Sequence, residues 1–154
     1  MMTSKKDTMT ARGFDVGMPL QDIEASSRSF CALLADGQVV AWGDPAAGGD
    51  CSQVQEQLKA FPILQMKASS AAFAAVNSQG RVVTWGDAAL GGDSRQVQAQ
   101  LEGVELLQAS AGAFAAMVSS GQIVTWGSPD WGGAPPDANL LRLSTLREKR
   151  ARLE

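Results

Sequence analysis

The stretch Phe30-Cys-Ala-Leu-Leu-Ala-Asp-Gly-Gln-Val-Val-Ala-Trp-Gly43 decides the fold, because the chain writes it three times. FCALLADGQVVAWG at 30–43 returns as FAAVNSQGRVVTWG at 73–86 and as FAAMVSSGQIVTWG at 114–127. The steps between Trp42, Trp85 and Trp126 are 43 and 41 residues. Each copy holds a run of apolar and small residues, a glycine (Gly37, Gly80, Gly121), and a second run of β-branched residues ending in Trp-Gly. A Gly between two such runs supplies the positive φ of a tight turn, so each copy predicts a β-hairpin.

Outward from the hairpin the repetition continues. Upstream, Ile23-Glu-Ala25, Met66-Lys-Ala68 and Leu107-Gln-Ala109 alternate apolar and polar and read as a third strand with one wetter face. Downstream, a polar loop leads to a glycine pair: Gly48-Gly49, Gly91-Gly92, Gly132-Gly133. Val54-Gln-Glu-Gln-Leu58 and Val97-Gln-Ala-Gln-Leu101 then place apolar residues four apart, which predicts one or two helical turns, with Ser52 and Ser94 as caps. The hairpin strands are apolar on both sides: Phe30 and Ala32 point one way, Cys31 and Leu33 the other. Such a strand needs cover on both faces, and a neighbouring unit provides it.

These residues resemble the repeat of the regulator of chromosome condensation family over about residues 20–133, most closely in the Gly…Val-Val-x-Trp-Gly hairpin. The resemblance implies blades of a β-propeller. It departs in three respects. The family's Gly-Gln-Leu-Gly after Trp-Gly is replaced by Gly-Gly-Asp or Gly-Gly-Ala. Its His in the small-residue strand is replaced by Ser29, Ala72 and Ala113, and the units are short. Three units also fall short of a ring of about seven blades. The expected fold is therefore mainly β: three tandem antiparallel hairpin or blade-like repeats, a partial propeller or divergent repeat array, with short helices between them. The expected organisation is a flexible segment at 1–17, a repeat domain at 18–134 (units about 18–60, 61–102 and 103–134) and a C-terminal helix at 135–154. That helix carries Leu140, Leu143 and Leu146 on one stripe and Arg142, Arg147, Lys149, Arg150 and Arg152 on the other face. The structural repeat core is expected to contain Phe30, Trp42, Phe73, Trp85, Phe114 and Trp126.

Composition narrows the chemistry. The 154 residues include no histidine, which removes Ser-His-Asp triads, Cys-His pairs and imidazole metal ligands. Cys31 and Cys51 occupy positions held by Ala and Ser in the other copies and read as small-residue substitutions. The paired loop carboxylates Asp44/Asp50 and Asp87/Asp93 read as turn and cap chemistry, since the third unit has Ser128 and Ala134 there. No P-loop follows the glycine pairs. We expect no catalysis, no cofactor and no metal.

The net charge of −3 is unevenly placed: +1 over residues 1–19, −6 over 20–135 and +2 over 136–154. An acidic body disfavours nucleic-acid phosphates. No apolar run is long enough to span a membrane, and no secretory signal is legible, which favours an intracellular (cytoplasmic or nuclear) setting.

The function expected is a non-catalytic protein-interaction scaffold with a protein partner of unknown identity, able to form homo-oligomers or to continue into further repeats. The resemblance implies two alternatives: a substrate-recognition fragment of a ubiquitin ligase-type protein, or a guanine-nucleotide exchange factor-like module. A third is a purely structural piece of a longer propeller. The framework repeats while the loops vary (Asp44-Pro-Ala-Ala47, Asp87-Ala-Ala-Leu90, Ser128-Pro-Asp-Trp131), so contact residues are sought there. Trp131 and Leu90 are the first candidates; the other reading of Trp131 is a cap on the last unit.

Overall fold

In a computed structural model, residues 17–135 form three antiparallel three-stranded sheets, one per repeat. The first holds β1 (Leu20–Ala25), β2 (Ser29–Leu34) and β3 (Val39–Gly43). The second holds β4 (Ile63–Ala68), β5 (Ala72–Asn77) and β6 (Val82–Gly86). The third holds β7 (Val104–Ala109), β8 (Ala113–Val118) and β9 (Ile123–Gly127). Strand order within each sheet follows the sequence. The N-terminal segment through residue 16 and the C-terminal helix expected beyond 135 lie outside the described residues.

The hairpin turns form where the glycines demand them. Gly37, Gly80 and Gly121 have φ of 87°, 72° and 86°. In the first turn Gly37 N–H donates to Leu34 O and Leu34 N–H to Gln38 O. This left-handed geometry costs a non-glycine residue about 1–2 kcal/mol. The register then places each Phe opposite its Trp, with ring centroids 5.7, 5.5 and 5.4 Å apart. The third strand runs further upstream than the alternating triplets indicate and carries an irregularity after its first residue in all three sheets.

Between the first two sheets, a 3-10 turn at Ser52–Val54 enters α1 (Gln55–Ala60). Between the second and third, only a 3-10 turn at Gln98–Gln100 forms. Leu58 and Leu101 are both buried, as the four-residue spacing requires. Ser52 and Ser94 do not cap these turns. Neither turn has a side-chain cap; the side chain of Asp50 accepts from Ser52 N–H and that of Asp93 from Arg95 N–H, each at about 3 Å, and so each orders the loop leading into its turn.

The core is not inside any one sheet. It consists of two layers, one at each junction. The first joins Cys31, Leu33 and Val39 to Ile63, Met66, Phe73, Ala75 and Trp85. The second joins Ala74, Val76 and Val82 to Val104, Leu107, Phe114, Ala116 and Trp126. Each sheet thus has an incoming face, bearing the Phe–Trp pair, and an outgoing face, bearing the intervening residues.

Four hydrogen bonds recur at both junctions, one of them from the Ser27 and Ser70 hydroxyls to Ser70 O and Ala111 O, both at 2.6 Å. The Trp85 indole donates to Gly48 O, and that of Trp126 to Gly91 O, both at 3.0 Å. Ser27 N–H donates to Ser70 O, and Ser70 N–H to Ala111 O, both at 2.8 Å. Ile63 N–H donates to Gly37 O at 3.3 Å, and Val104 N–H to Gly80 O at 3.0 Å.

One expectation about the core fails. Phe30 is 47% exposed, whereas Phe73 and Phe114 are 0% and 1% exposed. Trp42 is half-buried, while Trp85 and Trp126 are buried. The cause is position in the array. Phe73 packs under Gly48 of the preceding unit and Phe114 under Gly91, so closely that a methyl group on either glycine would overlap the ring. No glycine-pair loop precedes the first sheet among the described residues.

Candidate functional site

Each loop that follows a Trp-Gly pair is built rigidly from local chemistry. Asp44 and Asp87 begin it by accepting from the N–H two residues on, at 2.9 Å. A single 3-10 turn follows: Pro45–Ala47, Ala88–Leu90 or Pro129–Trp131. A left-handed glycine closes it, with φ of 92°, 102° and 98° at Gly48, Gly91 and Gly132.

A serine at the start of the hairpin then ties the last residue of the turn down. Ser26 Oγ donates to Ala47 O, Ser69 Oγ to Leu90 O and Ser110 Oγ to Trp131 O, at 2.9, 2.8 and 2.6 Å. These serines recur 43 and 41 residues apart, the period of the tryptophans, and were legible in the sequence by that signal alone.

The two candidate contact residues meet. Trp131 is 56% exposed and Leu90 is half-buried, and both lie against the bare backbone of Gly112. Arg28 and Ala71 occupy the matching place in the other units. A Cβ at 112 would stand 2.6 Å from Trp131 Cδ1 and 3.2 Å from Leu90 Cδ2. The glycine therefore lets an indole from the third unit and a leucine from the second share one patch. Trp131 covers Gly112 on one side while more than half its surface faces solvent.

A cleft of about 540 Å³ lies between the linkers that follow the first two sheets. Cys51, Val54, Thr84, Trp85, Asp93 and Arg95 are among its lining residues. Several of its polar groups bond one another. Thr84 Oγ1 lies 2.9 Å from Ser94 Oγ, and Gln98 Nε2 donates to Ser94 Oγ at 2.7 Å and to Val82 O at 3.1 Å. Asp93 accepts from Arg95 Nε and Nη2, and these bonds together with the Arg95 N–H hold its carboxyl down to about 2. Burial pushes the Cys51 thiol up, away from the thiolate a nucleophile requires. Cys31 is pushed up more strongly by the same cause and lies 3.6 Å from Met66 Sδ, inside the first junction. The described residues of the cleft thus offer no nucleophile–base pair.

No protein-family model matches the sequence, and no curated protein matches it. Solved structures do match in three dimensions. The chain aligns with human WBSCR16 over 73% of its own length and 35% of that chain, at 19% identity and a TM-score of 0.53. The match to Prp20p of Saccharomyces cerevisiae covers 72% and 31%, at 18% identity and a TM-score of 0.54. The match to the CRINKLY WD40 ectodomain of the Arabidopsis thaliana receptor kinase ACR4 covers 76% and 41%, at 16% identity and 0.54. The fold is that of propeller blades. The chain spans about a third of the lengths of these structures. Among the described residues no helix is long and apolar enough to cross a membrane.

Proposed function

We propose that the chain is a non-catalytic protein-interaction module of condensation-regulator-like repeats, binding its partner through the loop patch of Trp131 and Leu90. The observation that carries this reading is the state of Trp131: a large aromatic residue, mostly exposed, on a loop fixed by Ser110 and Gly132 and set beside Leu90. A rigid amphipathic anchor of this kind contributes binding area at little entropic cost, and such residues dominate interface energetics. The neighbours support the class of function. Prp20p is described by its binding to Gsp1p and histones, and it also occurs in a complex with Kap60. The acidic body of this chain favours a neutral or basic protein partner and disfavours DNA.

Pull-down with the wild-type chain, followed by titration of the captured protein against Trp131→Ala, tests the assignment. The expected result is at least a roughly tenfold loss of affinity with an unchanged melting temperature, the scale on which an aromatic hot spot acts. A lowered melting temperature with unchanged affinity would make Trp131 a structural cap and remove the patch from consideration.

A further inference from the structure

The end faces of the array point to a second, independent surface. We propose that the chain associates head to tail with a second copy of itself, the incoming face of the first sheet of one copy seating on the outgoing face of the third sheet of the other.

Apolar residues of both halves of the junction built twice within the chain are exposed at the two ends of the described array. On the incoming side Leu20, Ile23 and Phe30 are each about half exposed. Their counterparts in the second sheet are Ile63, Met66 and Phe73, and in the third Val104, Leu107 and Phe114; all six are buried. Ala32 and Leu34 of the same face, opposite Ile23 and Leu20 in register, are buried, so the exposed apolar residues of this face are Leu20 and Ile23 on β1 and Phe30 on β2.

On the outgoing side of the third sheet Leu106, Met117 and Ile123 are exposed. Leu33 and Val39 of the first sheet, and Val76 and Val82 of the second, match Met117 and Ile123 and are buried. Leu106 is the more telling residue. It stands opposite Met117 where Asp22 stands opposite Leu33 and Gln65 opposite Val76. Gln65 uses its amide to bond Glu105 O and Leu107 N–H of the next sheet. The last sheet has replaced that polar link with an exposed leucine, so its outgoing face is the most apolar of the three.

Backbone groups follow the same pattern. Gly37 presses on Pro62 and Gly80 on Gly103, and Gly48 and Gly91 each press on a Phe ring of the following sheet. At Gly121 and Gly132, their equivalents, an added methyl group would meet nothing within 4 Å. The carbonyls of Gly121 and Gly132 and the N–H of Ala111 meet no partner among the described residues, although the matching groups carry three of the four repeated junction bonds. A surface that is complementary to a different surface on the same molecule makes a heterologous contact, which closes into a ring or continues as a chain of subunits. Leu20, Ile23 and Phe30 on one side and Met117 and Ile123 on the other have counterparts already packed against each other inside the chain, which favours a second copy over an unrelated partner.

The test is mass in solution by sedimentation velocity on the full chain over a dilution series. The wild type is expected at two or more chains per particle. Phe30→Arg blocks the incoming face and Ile123→Arg the outgoing one, and each is expected to run as a single chain. An equimolar mixture of the two variants retains one intact junction and is expected to form a complex of one copy of each. A face-to-face dimer would leave at least one variant self-associated, which overturns the proposal. A single-chain wild type at all concentrations overturns it as well, as does a mixture that stays single-chain. Should either arginine variant fail to fold by circular dichroism, Leu20→Asp and Leu106→Asp replace them; aspartate already stands at the position of Leu106 in the first sheet.

Discussion

Phe30 and Phe73 hold the same place in the repeat, the same strand register and nearly the same stack on a tryptophan, yet only Phe73 has a unit in front of it among the described residues. Truncating each to alanine therefore isolates the contribution of the junction. Phe73 is fully buried under Gly48, and losing a buried Phe side chain costs about 3–5 kcal/mol including the cavity left behind. Phe30 forfeits only the buried half of its transfer energy, about 1 kcal/mol, and leaves no closed cavity. In a chain of this size each kcal/mol shifts the melting temperature by roughly 2–4 °C. Phe73→Ala is thus expected to lower it by at least about 6 °C, and Phe30→Ala by about 2–4 °C. Urea unfolding followed by tryptophan fluorescence gives the free energies, at protein concentrations low enough that the chain is a single copy. Equal losses from the two substitutions would refute the placement of the core between units.

Gly48→Ala and Gly132→Ala share the cost of a left-handed residue, about 1–2 kcal/mol, but only the first drives a methyl into a Phe ring. Overpacking adds roughly 1–3 kcal/mol there, so urea midpoints should fall further for Gly48→Ala. Asp93 should titrate at about 2 instead of its ordinary 3.8 by carbon-detected NMR, and Arg95→Ala should return it toward that ordinary value. Because the folded value lies below the unfolded one, the stabilisation is present above pH 3.8 and is lost as pH falls through about 2. Cys31 is fully buried in the first junction, so a thiol reagent at neutral pH should reach it only when the fold opens, whereas Cys51, lining the cleft with its pKa raised by burial, should label in the native state more slowly than a free thiol; rapid native labelling of Cys31 would contradict its place in the first junction.

The sheets were legible because each rests on local chemistry repeated in register: a left-handed glycine at the turn, β-branched residues after it, and a Phe spaced to meet its Trp across the strands. The beginnings of β1, β4 and β7 were less legible, since a bulge after Leu20, Ile63 and Val104 breaks the two-residue alternation. Periodicity also assigns Phe30 and Phe73 the same fate. What separates them is which unit has a predecessor, a property of the array and not of the residue. Leu90 and Trp131 were singled out as loop variants of a constant framework. Their meeting over Gly112 was not visible, because it depends on one unit reaching across to the next. The tethers from Ser26, Ser69 and Ser110 were visible as a repeat but carried no distinguishing chemistry until the carbonyls they bond were placed.

The most direct test of a core built between units is hydrogen exchange at the tryptophan indoles, read by nitrogen-edited NMR. The Trp85 and Trp126 indoles each donate across a junction to a glycine carbonyl at 3.0 Å and lie on buried rings. Their exchange is expected to require separation of the units and to be slowed by several orders of magnitude relative to that of exposed Trp131. Exchange of all three at similar rates would contradict the account.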